Sequence, residues 1–118
     1  MANLIFSVVI PIYKNEATIP RLLQALSALN LELNGKMEAV FVVDGSPDQS
    51  FALLSEALCG LDYPAQVLAH SRNFGSFSAI RTGLQAARGD YFGVLAADFE
   101  IKGIDVLRAA KMCTKRGN

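Results

Sequence analysis

The sequence predicts an α/β fold with a mainly parallel sheet and helices on both of its faces. Apolar runs of the strand type alternate with helix-type stretches of about 10 to 15 residues, as parallel strand pairs require. The first run lacks polar alternation, which is typical of a strand covered on both faces. A polar cluster follows every run, and the carboxyl ends of parallel strands are the ligand-binding edge of such sheets.

Composition limits the possible functions. With 118 residues, 52% of them hydrophobic and 19% charged, the chain is predicted to be a single domain spanning residues 1–118. Eleven basic residues balance eleven acidic ones, so we expect no nucleic-acid partner, and any anion must be held by local groups. Cys59 and Cys113 are interpreted as two buried, reduced thiols. No apolar stretch reaches the roughly 20 residues of a membrane span, and we expect a soluble, cytoplasmic chain.

The first two β–α units are predicted from residues 6–60. The run "FSVVIPIY" is the first strand, and Thr18 and Pro20 mark the start of a helix with its apolar face at Ile19, Leu22, Leu23, Leu26 and Leu29. The run "MEAVFVVDG" is the second strand. Ser46 or Asp48 can cap the next helix, which ends at Gly60 and is expected to place these residues inward: Phe51, Leu54 and Leu58.

Two further units follow. "AQVLAH" is the third strand, and a helix from about Ser76 ends before Gly89 with one apolar face formed by Phe77, Ile80 and Leu84. "YFGVLAA", residues 91–97, is the fourth strand. A last helix is predicted over "IDVLRAAKMC", residues 104–113.

Polar clusters follow the four strands: "YKNE", "DGSPD", "SRNFG" and "DFE". We expect a ligand site where they converge, although any doubly wound sheet has polar loops at this edge. Asp44 could accept hydrogen bonds from nucleobase N–H groups, with Gly45 and Ser46 allowing close approach, or it could cap the next helix; capping is the favoured role of Asp48.

The third and fourth clusters offer groups for a charged ligand. Asn73 and Gly75 precede a helix N-terminus, where free N–H groups can meet phosphate oxygens. Asp98 and Glu100 point the same way in an extended chain and could hold Mg²⁺ or Mn²⁺; the alternative is a solvated loop. His70 is interpreted as a hydrogen-bonded strand-end histidine without a functional role. The sequence has no G-x-G-x-x-G after the first strand and no P-loop lysine.

The order of the motifs resembles family 2 glycosyltransferases of the GT-A fold. The resemblance is carried by "SVVIPIYKNEATIPRLLQAL", "VVDGSPDQS" and "SRNFGSFSAIRTGLQAARGDYFGVLAADFE", and it spans residues 6–100. The third segment is most similar to the branch that transfers sugars from nucleoside diphosphates to polyprenyl or dolichyl phosphate. The resemblance implies a Rossmann-like nucleotide-binding half of a GT-A fold, acting in cell-envelope or surface-polysaccharide synthesis, with the parent protein at the cytoplasmic face of the membrane.

The resemblance also implies roles for individual residues. The nucleoside would lie beside Pro11, Tyr13 and Glu16, and the base would contact Asp44 in the Asp44-Gly45-Ser46 loop. The ribose and diphosphate would lie near Asn73, Gly75 and Arg81. The metal, Mg²⁺ or Mn²⁺, would be held by Asp98, with Glu100 as a second candidate ligand at a position where related sequences commonly have glutamine. The chain departs from the family pattern at Val43, where an aspartate is frequent, and at Ala96, where the Asp-x-Asp motif usually begins.

The family domain continues into an acceptor-binding part that has no counterpart in these 118 residues. We therefore expect the donor-binding part of a glycosyltransferase, inactive by itself, with a lipid phosphate as the acceptor of the parent protein. A truncated sheet would also favour self-association into a homo-oligomer. The alternatives are a non-catalytic nucleotide-sugar or protein-binding module and a nucleotidyltransferase. A nucleotidyltransferase usually carries a Gly-rich, basic loop after the first strand, whereas this chain has "PIYKNEA" there.

Overall fold

The computed structural model describes residues 5–95 and 114–115. In this part of the chain the strands are β1 (Phe6–Ile12), β2 (Met37–Asp44), β3 (Ala65–His70), β4 (Tyr91–Val94) and β5 (Thr114–Lys115). The α-helices are α1 (Ile19–Glu32), α2 (Ser50–Ala57) and α3 (Ser76–Ala86). Short 3-10 helices precede α1 at Glu16–Thr18 and follow α2 at Leu58–Gly60.

The strands form one sheet in the order β3-β2-β1-β4-β5. β1 pairs in parallel with β2 and β4, and β2 pairs in parallel with β3, which confirms the predicted architecture. β2 and then β3 lie on one side of β1, and α3 connects β3 to β4 on the other side of β1. The strand order therefore switches between β1 and β4, and ligands of open α/β sheets bind beyond the carboxyl ends of the strands at such a switch.

The short strand β5 is antiparallel to β4, with Tyr91 opposite Lys115 and Phe92 opposite Thr114. It was not predicted, because a strand of 2 residues is too short to show a hydrophobic period. The predicted helix over residues 104–113 and the last two residues of the predicted fourth strand lie outside the described residues.

The centre of the sheet is buried on both faces, as predicted for the first strand. Val8 and Ile10 of β1 belong to the core under α1 and α2, whereas Val9 belongs to a second core under α3. All 8 residues of β2 are buried. Since each buried Val or Leu side chain contributes about 1.5–3 kcal/mol, these two strands supply much of the stabilisation that holds the sheet together.

The first helix follows its prediction closely. Thr18 occupies the N-cap position and Pro20 lies in the first turn. The Thr18 hydroxyl, however, donates to the carbonyl oxygen of Asn15 (3.0 Å) and does not accept from a helix N–H group. The buried residues of α1 include all of the predicted face except the partly buried Leu23: Ile19, Leu22, Leu26 and Leu29.

The start and the inward face of α2 differ from their predictions. Gln49 occupies its N-cap position, and its side chain forms no cap hydrogen bond. The predicted caps Ser46 and Asp48 join two loops through their side chains, although Asp48 also accepts from the N–H group of Ser50. Leu54 is buried as predicted, but Phe51 is 45% exposed and its predicted inward placement was wrong. The helix is rotated so that the serine at its first position is buried one turn from Leu54.

The buried face of α3 also differs from its prediction. The fully buried residues of this helix are Ala79 and Gly83. Of the predicted face, Leu84 is partly buried against the core under α3 and Ile80 is half-buried, but Phe77 is 88% exposed and its predicted burial was wrong. A Cβ atom added to Gly83 would lie 2.4 Å from Cγ1 of Val9, so the helix backbone rests directly on the sheet. This close approach requires a small residue at the point of contact, which a pattern of large apolar side chains does not indicate.

At the amino-terminal end of β2, a buried carboxylate holds the connection between α3 and β4. Glu38 Oε2 accepts hydrogen bonds from the hydroxyl of Ser7 and from the backbone N–H groups of Arg88 and Gly89. The Gly89 N–H group also donates to Ser7 Oγ (2.8 Å). Because charge-assisted hydrogen bonds offset the cost of burying a carboxylate, this cluster fixes the chain after α3.

The structure bears on two predictions made from composition, the burial of the cysteines and the lack of a membrane span. Cys59 is an exposed free thiol, so its predicted burial was wrong, and Cys113 lies outside the described residues. Cys59 is the middle residue of the 3-10 helix Leu58–Gly60, which follows α2 at the surface. Among the helices of the described residues, none combines the length and the hydropathy needed to cross a membrane.

Candidate functional site

The loops that follow β1 and β2 are joined by hydrogen bonds at the carboxyl edge of the sheet. The N–H group of Lys14 donates to Ser46 Oγ (2.8 Å), and the N–H group of Glu16 donates to Asp48 Oδ2 (3.2 Å). In return, the Glu16 carboxylate accepts from the N–H group of Gln49 (3.4 Å). The two loops therefore form one unit, and two predicted site residues, Glu16 and Ser46, belong to it.

Asp48 is the main acceptor of this unit. Burial by itself raises the pKa of Asp48, but hydrogen bonds from Ser46, Ser50 and the Glu16 N–H group outweigh burial and lower the pKa to about 2. Its Oδ1 atom accepts from the N–H group of Ser50 (3.1 Å), the first residue of α2. Asp48 thus supports the start of α2 from outside the N-cap position, and it is ionised at neutral pH.

The third loop, which connects β3 to α3, is held by Asp44. This side chain is buried; Oδ1 accepts from the N–H group of Phe74 (2.9 Å), and Oδ2 accepts from the N–H group of Gly75 (2.9 Å). The Asn73 side chain donates to the backbone carbonyl of Asp44 (3.2 Å). Asp44 therefore organises the "SRNFG" loop, and it does not cap α2.

Besides the N–H groups of Phe74 and Gly75, the Asp44 carboxylate has a third hydrogen-bond partner, His70. Its Nδ1 atom lies 2.7 Å from Asp44 Oδ1, and its Nε2 atom lies 2.8 Å from Thr82 Oγ1 of α3. Burial raises the pKa of Asp44, but the Phe74 N–H group, His70 and the Gly75 N–H group together lower it. His70 is hydrogen-bonded as predicted. The sequence did not predict its partners, because they depend on the register that places Asp44 of β2 opposite His70 of β3.

Gly45 lets the second and third loops pack backbone against backbone. Its φ is +65°, and an added Cβ atom would lie 2.2 Å from the carbonyl carbon of Arg72 and 2.3 Å from the nitrogen of Asn73. Gly75, at the end of the third loop, has a φ of +101°. Both values lie where glycine is strongly favoured, so Gly45 and Gly75 are required by the loop geometry itself.

The remaining predicted residues surround this edge. Pro11 lies near the end of β1 and is half-buried, and Tyr13 follows the strand with 41% of its surface exposed. The Lys14 ammonium lies 5.4 Å from the centre of the Tyr13 ring. Arg81 is exposed on the second turn of α3 and takes no part in the hydrogen bonds that join the loops. The structure brings together residues of all three loops around Asp44 and Asp48.

The predicted metal ligands Asp98 and Glu100 lie outside the described residues. Before them in the chain, the N–H group of Leu95 donates to the carbonyl oxygen of Val9 (3.0 Å) and so holds the end of β4 beside β1. Within residues 5–95 and 114–115, no three His, Cys, Asp or Glu side chains are grouped as metal ligands would be.

Comparison with known proteins identifies relatives. Residues 7–115 match the family described as Glycosyl transferase family 2. An undecaprenyl-phosphate 4-deoxy-4-formamido-L-arabinose transferase of Pseudomonas fluorescens strain Pf0-1 is 38% identical over 94 residues, which are 80% of this chain and 28% of that protein. The protein of the same name from Pseudomonas aeruginosa strain LESB58 is 40% identical, with the same coverage of 80% and 28%. This chain thus spans less than one third of the length of these relatives.

Solved structures share the fold. S. aureus TarS 1-349 in complex with UDP superposes with a TM-score of 0.73 and 26% identity, over 91% of this chain and 31% of that one. The mannosyltransferase PcManGT from Pyrobaculum calidifontis, in complex with GDP-Man and Mn²⁺, superposes with a TM-score of 0.80 and 21% identity, over 95% and 32%. The sheet of this chain is therefore the Rossmann-like part of a GT-A fold, and the chain belongs to glycosyltransferase family 2.

Proposed function

We propose that this chain is the donor-binding part of a glycosyltransferase that moves a sugar from a nucleoside diphosphate to a polyprenyl phosphate. The observation that carries the proposal is the 38% identity over 94 residues with a transferase named for its action on undecaprenyl phosphate. TarS, a structural neighbour with 26% identity, has been solved in complex with UDP-GlcNAc. A non-catalytic module is not favoured, because these relatives are named as transferases or bind donor nucleotides.

The donor lies at the switch in strand order, against the loops joined by Asp44 and Asp48. Pro11, Tyr13 and Glu16 line the nucleoside side. A carboxylate has roughly four lone-pair positions. Those of Asp44 accept three hydrogen bonds, from the N–H groups of Phe74 and Gly75 and from His70, so one position on Oδ2 is left for an N–H group of a base. Asp44 thereby serves donor binding mainly by shaping the third loop.

The diphosphate lies at the N-terminus of α3, beyond Asn73 and Gly75. This helix has 11 residues, and its first N–H groups lack partners within the helix. Such groups attract phosphate oxygens, and the helix dipole adds to the attraction. Arg81, exposed one turn further along α3, supplies positive charge for the same phosphates.

A divalent cation, Mg²⁺ or Mn²⁺, would be held by Asp98 with Glu100. Carboxylate oxygens are the ligands that these hard cations prefer, and both residues follow shortly after Leu95, whose backbone is held beside β1 at the switch in strand order. When bound, such a cation neutralises the charge that develops on the diphosphate as the sugar leaves. The Mn²⁺ reported with PcManGT and GDP-Man supports the same chemistry.

In the transfer step, an oxygen of the lipid phosphate forms a bond to the anomeric carbon, and the bond from that carbon to the diphosphate breaks with its electron pair on the diphosphate. The acceptor is already an anion, so it requires no strong general base, unlike a sugar hydroxyl. The role of this chain's own residues is to hold the donor so that the anomeric carbon faces the acceptor.

Calorimetric titration of the 118-residue chain with UDP and with GDP, in Mg²⁺, in Mn²⁺ and in EDTA, tests the proposal. We expect saturable binding of one nucleotide that weakens in EDTA, and the same loss in Asp98→Asn but a smaller loss in Glu100→Gln. A chain that binds neither nucleotide would contradict the donor-binding role. Equal affinity with metal and with EDTA would contradict the metal role of Asp98.

A further inference from the structure

His70 connects three elements of the candidate site through a single ring. It ends β3, its Nδ1 atom contacts the Asp44 carboxylate at the end of β2 (2.7 Å), and its Nε2 atom contacts Thr82 Oγ1 of α3 (2.8 Å). Only 13% of the histidine side chain is exposed. The ring also meets Phe74 of the third loop edge to face, with 5.3 Å between ring centres.

The hydrogen-bond roles at this histidine follow from its partners. The lowered pKa of Asp44 keeps the carboxylate ionised at neutral pH, so it can only accept, and Nδ1 must therefore carry a proton. In the neutral ring, Nε2 is then an acceptor for the Thr82 hydroxyl. Both ring nitrogens are satisfied, and the orientation of the ring is determined from both sides.

We propose that His70 is a positioning residue for the nucleotide donor. By holding Asp44 Oδ1, it orients the carboxylate whose two oxygens hold the N–H groups of Phe74 and Gly75, and so it sets the shape of the loop before α3. The part of this inference that concerns the donor rests on the proposed function. The part that concerns the loop rests on the hydrogen bonds alone.

Two amide variants separate the two nitrogen positions. The side-chain amide of His70→Asn can place a donor near the position of Nδ1, which preserves the contact with Asp44 and abandons Thr82. The longer amide of His70→Gln reaches the position of Nε2, which preserves the contact with Thr82 and abandons Asp44. Thr82→Val removes the other partner without touching Asp44.

Each variant is measured in two ways: calorimetric titration with UDP and with GDP in Mn²⁺, and NMR hydrogen exchange of the Phe74 and Gly75 amides without nucleotide. We expect His70→Gln to weaken nucleotide binding roughly tenfold or more, as loss of a charge-assisted hydrogen bond implies, and to accelerate exchange of both amides. His70→Asn should restore both properties to within about threefold of wild type. Thr82→Val should have an effect smaller than that of His70→Gln.

Equal affinities and exchange rates in wild type and His70→Gln would overturn the inference. So would a loss of binding in His70→Asn as large as in His70→Gln, because that result means the ring is needed for packing and not for its contact with Asp44. If the wild type binds neither nucleotide, the proposed function fails, and the exchange rates of the Phe74 and Gly75 amides decide whether His70 positions the loop.

Discussion

Glu38 and Asp44 are buried carboxylates at opposite ends of β2, and each holds one end of the same crossover. Asp44 accepts from the N–H groups of Phe74 and Gly75, directly before α3. Glu38 accepts from two backbone N–H groups directly after α3. A single central strand therefore fixes both connections of the helix that crosses the switch in strand order. The two residues are chemically matched, but only Asp44 lies at the candidate site.

This relationship predicts that Asp44→Asn and Glu38→Gln both destabilise the protein, by about 1–3 kcal/mol. Asp44 accepts backbone N–H groups on both oxygens, so Asp44→Asn places an amide N–H₂ group against a backbone donor. Glu38 accepts on Oε2 alone, so Glu38→Gln can keep an oxygen there but loses the charge that strengthens these hydrogen bonds. Only Asp44→Asn should also weaken UDP or GDP binding. Urea denaturation and calorimetry measure the two effects. Equal loss of nucleotide binding in both variants would mean that binding follows global stability and not the shape of the third loop.

The lowered pKa of Asp48 predicts a stability change in acid. Because its pKa is about 2 in the folded chain and 3.8 in the reference state, the ionised side chain stabilises the fold above about pH 4. This contribution should be lost as the pH falls from about 4 to about 2. The difference in unfolding free energy between wild type and Asp48→Asn should shrink over the same range. A difference that stays constant down to pH 2 would contradict the assignment.

Gly45→Ala should destabilise the protein far more than Gly35→Ala. Both glycines have positive φ, +65° and +76°, so both substitutions incur the cost of a left-handed alanine, about 1–2 kcal/mol. At Gly45 the new Cβ atom would also lie 2.2 Å from backbone of the third loop, whereas nothing lies within 4 Å at Gly35. Urea denaturation of the two variants compares them, and equal costs would refute the close packing of the loops.

Gly83→Ala should destabilise the protein, although alanine favours an isolated helix by about 1 kcal/mol over glycine. The new methyl group would lie 2.4 Å from Cγ1 of the buried Val9, and overpacking of this kind costs about 1–3 kcal/mol. A double-mutant cycle with Val9→Ala should show a favourable coupling between the two substitutions. Stabilisation by Gly83→Ala alone would mean that α3 lies further from the sheet.

The order of strands and helices was predictable, because long apolar runs and their periods are local properties of the chain. The apolar face of α1 was predicted for the same reason. The inward faces of α2 and α3 were predicted wrongly at Phe51 and Phe77, since large apolar residues were assumed to be buried. Where α3 lies directly over Val9 there is room only for a small residue such as Gly83, and the distance between a helix and a sheet is not a local property.

The sequence by itself determined the alternation of strands and helices, and it placed polar residues after each strand, because both follow from the chemistry of neighbouring residues. Only the tertiary structure decided that Asp44 turns to the third loop and not to α2, and that His70 completes its hydrogen bonds. Asp44 and His70 are 26 positions apart and meet only through the parallel register of β2 and β3. That register depends on packing across the whole sheet, so no short stretch of sequence encodes it.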